Sequence, residues 1–460
     1  MHIVAIGGSD AGISAALRAR EVDPGAEVTV VVADAYPNFS ICGIPYYVSG
    51  EVTHWRNLAH RTYADLEAAG MRLRLDTTAR KVDVAGRLVQ VTGPDGAAED
   101  AMPYDRLVIG TGAVPVRPPI TGLDALGPAD GVHLLHSMDD TFAIMNTLEE
   151  SSPASAVIVG AGYIGLEMAE ALSGRGLAVT QVEQVSEVLP TVDSELGALV
   201  RAQLEAHGVS VRSGTAVRAI GPAGRGAPGR LRVETDTGDG TPSALHADLV
   251  LVVTGVRPET ALAANAGASL GARGAIAVDK SMGTGLPDVY AAGDCAITYH
   301  RLLGETYLPL GTTAHKQGRV AGENAAGGRR EFAGSLGTQV VKVFDHAAAR
   351  TGLRDHEAQA AGYDPVTVAS AADDHKAYYP GSHTIAMRFT GDRATGRLLG
   401  VQLFGHKDAG VAKRIDTAAA AIFHGMTVDE VSDLDLSYTP PLGSPWDAVQ
   451  LGAQAWTRQS

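Results

Sequence analysis

Cysteine is nearly absent from this sequence of 460 residues, which contains only Cys42 and Cys295. Two cysteines cannot form a disulfide scaffold for so long a chain, and such sparse use is typical of a reducing compartment, so we predict a cytoplasmic protein. The sequence also lacks any apolar run near the roughly 18 residues that a membrane-spanning helix needs. An apolar segment begins at His2, which leaves no room for a secretory signal peptide before it.

Positive charge is also scarce, because 37 Lys and Arg residues are outnumbered by 52 Asp and Glu residues, giving a formal net charge of −15. Such a surface repels nucleic acid and anionic membranes, so we predict neither as a partner and favour a small or thiol-containing substrate. Glycine, in contrast, is abundant, and its 55 residues indicate many tight turns in an ordered globular protein. The length of the chain suits two or three domains.

Two segments share one pattern, a short apolar strand followed by a glycine-rich turn and a helix. The pattern occurs at 2–19 and again at 156–172, and each copy is followed by a β-branched strand, at 28–34 and 179–183. This order indicates the start of a doubly wound parallel sheet, so we predict an α/β fold with two Rossmann-like domains. From about Gly334, alternating strands and helices without a glycine fingerprint predict a third domain, of α+β type.

The second copy contains the complete signature G-x-G-x-x-G directly after a strand. The first glycine permits a tight turn, the second lets the backbone approach a pyrophosphate, and the third packs the helix against the strand. Glu183 ends the next strand, where its carboxylate would bind a ribose diol and repel a 2′-phosphate, so we favour NADH over NADPH. A glycine-rich turn that binds no ligand is the alternative. The residues predicted to bind the nucleotide at this turn are Gly160, Gly162, Tyr163, Ile164 and Gly165.

The first copy is incomplete, because Ser9 stands where the middle glycine belongs. Support for a second nucleotide comes from Asp294, which follows an apolar strand in the sequence GDC and is suited to holding the ribityl chain of a flavin. Two dinucleotide folds imply two dinucleotides, and FAD with NADH is the chemically useful pair. We predict no metal ion. The residues of this turn predicted to bind FAD are Gly7, Gly8, Ser9, Ala11 and Gly12.

Cys42 lies in the sequence PNFSICGIPYY, a loop that leads into a helix-like stretch. A helix N-terminus and an adjacent flavin would stabilise its thiolate, so we predict a lowered pKa for Cys42 and a redox role. A buried, inert cysteine is the alternative. Cys295, which follows Asp294 in a tight turn, is predicted to be structural.

Taken in order, these motifs resemble the FAD-dependent pyridine nucleotide-disulfide oxidoreductases over nearly the whole chain. Glutathione-reductase-like members carry a second cysteine in C-x-x-x-x-C, whereas Tyr47 holds that position here. The chain therefore resembles the single-cysteine branch, which contains coenzyme A-disulfide reductases, NADH oxidases, NADH peroxidases and persulfide or polysulfide reductases. The motifs that carry the resemblance are the N-terminal glycines, CGIPYY from Cys42, Thr111 and Gly112, the second fingerprint, GVRP from Gly255, Gly293 and Asp294, and the segment 308–328.

The resemblance implies a glutathione-reductase-like fold in a homodimer. An FAD domain at 1–115 and 248–330 would be interrupted by an NAD domain at 116–247, and 334–460 would form a dimerisation domain. Asp294 would hold the flavin ribityl chain. The other residues implied to lie at the cofactors are Thr111, Gly112, Gly255, Gly293 and the helix start at Thr312, Thr313 and Ala314, which would face the flavin pyrimidine.

The resemblance also implies that aromatic side chains of the third domain take part in the reaction. Tyr438, together with Tyr378 or Tyr379, resembles the tyrosines of disulfide reductases that reach the cysteine of the partner subunit. These tyrosines and Cys42 are the residues for which we predict a catalytic role, with Asp10 as a further candidate.

The chain departs from the family pattern at three places. Asn38 and Ile41 stand where coenzyme A-disulfide reductases have the serine and asparagine of S-F-x-N-C. Val32 replaces the glutamate that usually ends the second strand, so Asp34 either binds the adenosine ribose or faces solvent. Asp10 occupies the position of the histidine acid-base of the oxidases and peroxidases, where it either shuttles protons with a raised pKa or caps the helix.

Reduction of a disulfide, persulfide or polysulfide, in which the Cys42 thiolate attacks a substrate sulfur, is the favoured hypothesis. The alternative is an NADH oxidase or peroxidase in which Cys42 cycles through sulfenic acid, and the missing histidine at position 10 counts against it. A redox-sensing flavoprotein that signals through dimer contacts is a hypothesis from another class.

Overall fold

The computed structural model of the protein describes residues 1–93, 96, 99–238 and 240–459. The first strands of the chain are β1 (His2–Ile6), β2 (Glu27–Val31), β3 (Met71–Arg74), β4 (Thr78–Asp83), β5 (Leu88–Thr92), β6 (Glu99–Pro103), β7 (Arg106–Ile109) and β8 (Ala113–Pro115). The helices in this part are α1 (Asp10–Val22), α2 (Ile44–Ser49) and α3 (Tyr63–Ala68).

The middle of the chain repeats the alternation of strands and helices. Its strands are β9 (Val132–Leu134), β10 (Ser155–Val159), β11 (Ala178–Val182), β12 (Ser210–Arg212), β13 (Thr215–Pro222), β14 (Leu231–Thr237), β15 (Pro242–Ala247), β16 (Leu249–Val252) and β17 (Val256–Pro258). Its helices are α4 (Met138–Ser151), α5 (Tyr163–Gly174), α6 (Ser194–Ala206) and α7 (Ala261–Asn265).

The rest of the chain completes the first domain and forms the third. Its strands are β18 (Val289–Ala291), β19 (Thr298–His300), β20 (Gly304–Thr306), β21 (Gln339–Val343), β22 (His346–Gly352), β23 (Pro365–Asp373), β24 (Thr384–Asp392) and β25 (Leu398–His406). Its helices are α8 (Gly311–Ala325), α9 (Asp355–Ala360), α10 (Val411–Phe423), α11 (Val428–Ser432) and α12 (Ala448–Thr457).

Two parallel sheets confirm the doubly wound α/β fold. The first has the order β18-β7-β1-β2-β3 and the second the order β12-β11-β10-β16-β9. Because β18 returns to the first sheet after the whole second sheet, the second domain is an insertion in the first. The end predicted for this insertion at residue 247 is wrong, since β16 pairs with β10 inside the second sheet. Strands β8 and β17 pair antiparallel where the chain crosses between the two domains.

Helices α1 and α8 lie against each other unusually closely, and this contact shapes the first domain. Gly318 and Gly322 on α8 have no side chain, and a Cβ at either position would overlap a backbone carbonyl of α1. The close approach brings the N-terminal ends of both helices to the same end of the first sheet, beside the turn that follows β18.

The third domain is an antiparallel sheet with the order β21-β22-β25-β24-β23, packed against α10 and α12. Phe389 and Trp456 are among the large side chains of its core. The short helix α2 packs against α5, and its Ile44 and Val48 are buried in the apolar core of the second domain. The segment that carries Cys42 is therefore fixed between the two parallel-sheet domains.

Candidate active site

Cys42 lies in a single 3-10 turn, Ile41–Gly43, that leads directly into α2. The residue reaches the surface, yet protein surrounds its Sγ atom closely enough that loss of water raises the pKa of the thiol, and the carboxylates of Glu167, Asp10 and Asp294 raise it further. The prediction of a lowered pKa is therefore wrong as far as the protein's own groups are concerned, since these raise the pKa of Cys42. The sequence did not reveal that these carboxylates would surround the thiol.

Cys295 is fully buried in the turn after β18. Its thiol donates to the backbone carbonyls of Ala292 at 3.4 Å and Ile109 at 3.5 Å. These contacts tie two neighbouring strands of the first sheet together, as expected for a structural cysteine.

The first glycine-rich turn forms a cradle with almost no room for side chains. Gly7 has a φ of 118°, and a Cβ at Gly12 would overlap its carbonyl oxygen, so the start of α1 lies directly on the turn. The Val32 side chain fills the space beside Gly8, so a Cβ at residue 8 would overlap it. Ser9 is the N-cap residue of α1, and its side chain makes no capping bond. The backbone N–H groups of this 13-residue helix are thus directed at the cradle, which suits a pyrophosphate.

Asp34 is half-buried and does not simply face solvent. Its carboxylate accepts a hydrogen bond from the Tyr36 N–H at 2.8 Å, which shapes the turn after β2. Burial raises the pKa of Asp34, and the neighbouring Asp139 and Asp76 raise it further. Binding of the adenosine ribose by Asp34 stays a prediction.

Asp294 lies where an FAD ribityl chain would need an acceptor, and its surroundings show whether the first domain fits FAD. It follows Gly293, whose φ of 85° turns the chain between α1 and α8, with Ala11 and Ala314 packed on either side. The Oδ1 atom of Asp294 is buried without a hydrogen-bond partner among the described residues. Burial, with a contribution from Asp10, raises the pKa of Asp294 to about 6. A buried acceptor without a donor, beside a helix N-terminus, fits the hydroxyl groups of a ribityl chain.

The other residues predicted at this cofactor shape its surroundings. The Thr313 hydroxyl is buried and bonds to Ser335 Oγ at 3.2 Å, whereas Thr312 is exposed at the start of α8. Thr111 Oγ1 donates to the Glu259 carbonyl at 2.6 Å, which holds the crossing between the domains. Gly112 and Gly255 have positive φ angles of 70° and 108° at the same crossing.

The second glycine-rich turn has the geometry of a nucleotide site. A Cβ at Gly165 would overlap the Gly160 carbonyl, whereas Gly162 has no heavy atom within 4 Å of the same position and borders open space. Glu183 follows β11, and its carboxylate accepts hydrogen bonds from the N–H groups of Ala161 at 2.7 Å and Val185 at 3.1 Å. These bonds fix the carboxylate beside the turn. Tyr163 and Ile164 begin α5 and are half-buried.

Sequence reasoning missed Glu167, which lies on α5 close to Cys42. The Tyr46 hydroxyl donates to Glu167 Oε1 at 3.4 Å, and burial raises the pKa of Glu167 to about 7. The sequence offered one sign of a buried carboxylate here, because Glu167 stands between the apolar residues Leu166 and Met168 within a predicted helix.

Two histidines that sequence reasoning also missed lie beside Asp10. The Asp10 carboxylate does not cap α1 but reaches His315 on α8, with 3.3 Å between Oδ1 and Nε2. The polar atoms of Asp10, His60 and His315 lie within 4.8 Å of one another. The capping interpretation of Asp10 is therefore wrong. No local pattern signalled this group, because its members come from three distant parts of the chain.

The predicted tyrosines of the third domain lie on its surface. Tyr378 is 73% exposed, and Tyr379 and Tyr438 are also exposed. The pKa of Tyr378 is raised, first by its slight loss of water and then by the nearby Tyr438 hydroxyl. Leu442 and Trp446 lie on the same segment as Tyr438 and are exposed as well. The Lys376 N–H donates to the Pro440 carbonyl at 3.3 Å, which joins the two segments that carry these five exposed residues, and we call the five residues the tyrosine patch.

Within the described part of the chain, no helix combines the length and apolar character needed to cross a membrane.

Comparison with known proteins identifies the family. Residues 1–318 match the model of the pyridine nucleotide-disulphide oxidoreductases, and residues 338–448 match the dimerisation domain of the same family. An NAD(P)H sulfur oxidoreductase (CoA-dependent) of Pyrococcus furiosus is 36% identical, and the alignment covers 97% of each chain. An NADH oxidase of Methanocaldococcus jannaschii is 33% identical over 99% of this chain and 98% of its own.

Solved structures agree with this match. A persulfide reductase from A. fulgidus, described as NAD-dependent, superimposes with a TM-score of 0.93 at 38% identity, covering 100% of this chain and 83% of that one. The sheet order, the two glycine cradles, the dimerisation domain and these comparisons agree. The chain belongs to the pyridine nucleotide-disulphide oxidoreductase family, whose members are FAD-dependent NAD(P)H oxidoreductases.

Proposed function

We propose that the protein uses NADH to reduce a disulfide, persulfide or polysulfide at Cys42. The observation that carries the proposal is the position of Cys42, an exposed thiol fixed between the two nucleotide domains and close to Asp294. The names of relatives that reduce sulfur compounds support the same chemistry. The scarcity of cysteine supports a cytoplasmic location.

Residues of the first domain would hold FAD, which when bound carries two electrons from NADH to the cysteine. The α1 N-terminus would bind the pyrophosphate, and the free Oδ1 of Asp294 would accept from the ribityl chain. The start of α8 would lie beside the flavin ring. These roles rest on the cradle geometry and on the unsatisfied carboxylate.

Partial protonation of Glu167 lessens one of the effects that raise the pKa of Cys42. Because the pKa of Glu167 is about 7, this carboxyl group is partly protonated at neutral pH, which weakens its repulsion of a negative sulfur. The Cys42 thiolate would then attack a substrate sulfur and form a mixed disulfide.

Glu183 supports a preference for NADH over NADPH. Its carboxylate is held beside the second glycine-rich turn by two backbone N–H groups, where it can bind a ribose diol. A 2′-phosphate at the same place would meet an immobilised negative charge.

The tyrosine patch supports a homodimer in which each subunit completes the other's site. Tyr378, Tyr438 and Leu442 are exposed on two segments of the third domain that a backbone hydrogen bond from Lys376 to Pro440 joins, and the Tyr438 hydroxyl is close enough to raise the pKa of Tyr378. An apolar surface of this kind is typical of an interface, and a two-fold axis would present it to the partner. Tyr378 fits this role better than Tyr379, whose ring lies near His375.

Oxygen is the second candidate acceptor, because relatives from three organisms are named NADH oxidases. In that reaction Cys42 would pass through a sulfenic acid. The two reactions share the delivery of electrons from NADH and differ only in what oxidises the cysteine.

Replacement of Cys42 by serine tests the proposal. Cys42→Ser should retain FAD and still accept hydride from NADH, because the cofactor residues lie elsewhere, but it should lose reoxidation by inorganic polysulfide and by disulfides. Rapid mixing measures the two steps separately. Cys295→Ser is the matched control and should reduce sulfur acceptors normally. Unchanged sulfur reduction by Cys42→Ser would show that Cys42 is structural, and rapid reoxidation by oxygen alone would favour the oxidase.

A further inference from the structure

Asp10 lies at one end of a line of polar side chains between α1 and α8, in which Ser14 and His315 are joined by a hydrogen bond and His315 and Asp10 lie at ion-pair distance. His315 Nε2 lies 3.3 Å from Asp10 Oδ1, and His315 Nδ1 lies 2.8 Å from Ser14 Oγ. The two ring nitrogens of His315 are thus engaged on opposite sides. A ring held in this way can take a proton on one nitrogen while the serine fixes its orientation.

The fold holds this line in place from both helices. Gly318 and Gly322 let α8 lie directly on α1, so the first residue of α1 meets the first turn of α8. The third member, His60, precedes α3, and its ring centroid lies 6.1 Å from that of His315. Its N–H donates to the Asn38 carbonyl at 2.9 Å, and the Asn38 N–H donates to the Gly8 carbonyl at 2.6 Å. His60 is therefore anchored to the glycine cradle.

Exposure to solvent increases along the group. The Asp10 side chain is 24% exposed and that of His315 is 42% exposed, while His60 lies at the surface. At the inner end, the bond from the Asn38 N–H to the Gly8 carbonyl joins the segment that leads to Cys42 to the turn that precedes Asp10. The Asp10 carboxylate also raises the pKa of the Cys42 thiol. The group therefore connects solvent with the immediate surroundings of the reactive sulfur.

We propose that His60, His315 and Asp10 form a proton relay that delivers a proton from solvent to the sulfur group leaving the Cys42 site. This inference rests on the proposed function. Asp10 is the inner donor, His315 acts through Asp10 as a positioning and proton-transferring residue, and His60 is the outer entry point.

The reaction requires such a proton. When the Cys42 thiolate attacks a disulfide, one substrate sulfur bonds to Cys42, and the other leaves with the electron pair of the broken S–S bond. Two electrons from NADH then cleave the mixed disulfide, which restores the Cys42 thiolate and frees the second substrate sulfur. The two thiol products carry two protons, of which one derives from NADH and one enters from solution.

The charged groups around the relay favour Asp10 as the donor. Burial raises the pKa of Asp10, although His315 and His60 oppose the shift, so the carboxyl group holds its proton more tightly than an exposed aspartate does. The other ionisable groups around Cys42 are Asp294, committed to the cofactor cradle, and Glu167, bonded to Tyr46. Neither contacts a histidine that reaches the surface among the contacts described.

Three single variants test the relay, with reoxidation by inorganic polysulfide and by coenzyme A disulfide measured apart from reduction by NADH. Asp10→Asn should slow reoxidation about a hundredfold, the usual contribution of a general acid. His315→Gln and His60→Gln should slow it roughly tenfold or less, since water replaces them in part. FAD content and reduction by NADH are measured for each variant, so that a loss of cofactor is not counted as slower reoxidation. His60 is exposed, so its variant tests the relay without disturbing the core, and His356→Gln on α9 is the control.

The pH profile separates a relay from a merely structural role. Attack needs the Cys42 thiolate, which becomes more abundant as pH rises, and proton delivery needs the acid form of Asp10, which becomes less abundant. Wild-type reoxidation should therefore stop rising with pH above the pKa of Asp10, whereas reoxidation of Asp10→Asn should continue to rise. Added imidazole should restore the rate of His315→Ala in proportion to its concentration.

Wild-type rates and an unchanged pH profile in all three variants would overturn the relay, even if Cys42→Ser abolishes sulfur reduction. One tightly bound metal ion per chain in the wild type, lost in these variants, would overturn it too, because the three side chains would then be its ligands. Unimpaired sulfur reduction by Cys42→Ser would instead remove the proposed function itself.

Discussion

At the scale of a residue, the buried carboxylate of Asp294 lowers the stability of the FAD-free protein and is suited to binding the cofactor. Burial raises its pKa to about 6, so the FAD-free protein carries a penalised carboxylate above that pH. Asp294→Asn should therefore stabilise the FAD-free protein at mildly alkaline pH, with a gain that shrinks as pH falls through about 6 towards the usual range of aspartate. The same change should weaken FAD binding about tenfold, because bonds to an ionised acceptor are roughly twice as strong.

Thermal unfolding of FAD-free protein at two pH values and titration with FAD measure the two effects. Asp288, a half-buried aspartate paired with Arg87 and Arg106 at the other end of β18, provides a control, and Asp288→Asn should leave FAD affinity unchanged. Lower stability of FAD-free Asp294→Asn at alkaline pH would contradict the assignment of a desolvated carboxylate.

Residues defined by a local pattern could be predicted from the sequence, and residues defined by packing could not. Asp294 and Glu183 each follow an apolar strand at a recognisable turn, and the structure places both beside the predicted cradles. His60 and His315 meet Asp10 only because two glycines bring α8 onto α1, which no short segment reveals. For the groups of the chain itself, the lowered pKa predicted for Cys42 is wrong for the same reason, since its carboxylate neighbours come from separate elements.

At the scale of an element, two glycines of the second glycine-rich turn have different roles, since Gly165 is needed for packing and Gly162 for nucleotide binding. Gly162→Ala places a methyl group in open space at the start of α5, so stability and FAD content should not change while the KM for NADH rises. Gly165→Ala forces α5 away from the Gly160 carbonyl and should lower the free energy of unfolding by about 1–3 kcal/mol. Chemical denaturation and steady-state kinetics distinguish them, and equal effects of the two variants on stability would refute this division of roles.

Strand and helix identities follow from periodicity and turn residues, but the assignment of a strand to a sheet does not. Both fingerprints fold as strand, turn and helix, as predicted. β16 was predicted to begin the second part of the FAD domain and instead pairs with β10. Its sequence LVLV is as suited to one parallel sheet as to the other, because strands in either are buried on both faces.

At the scale of the whole molecule, hybrid dimers test whether each site is shared between subunits. One subunit would carry Cys42→Ser, and the other would carry Tyr378→Phe and Tyr438→Phe; we expect homodimers of either kind to be inactive with sulfur acceptors. In a hybrid purified with two affinity tags, the intact Cys42 of one subunit lies opposite the intact tyrosines of the other. One of its two sites is complete, so it should show about half of the wild-type activity. If the tyrosines serve their own subunit, no site in the hybrid has both parts, and activity should stay absent.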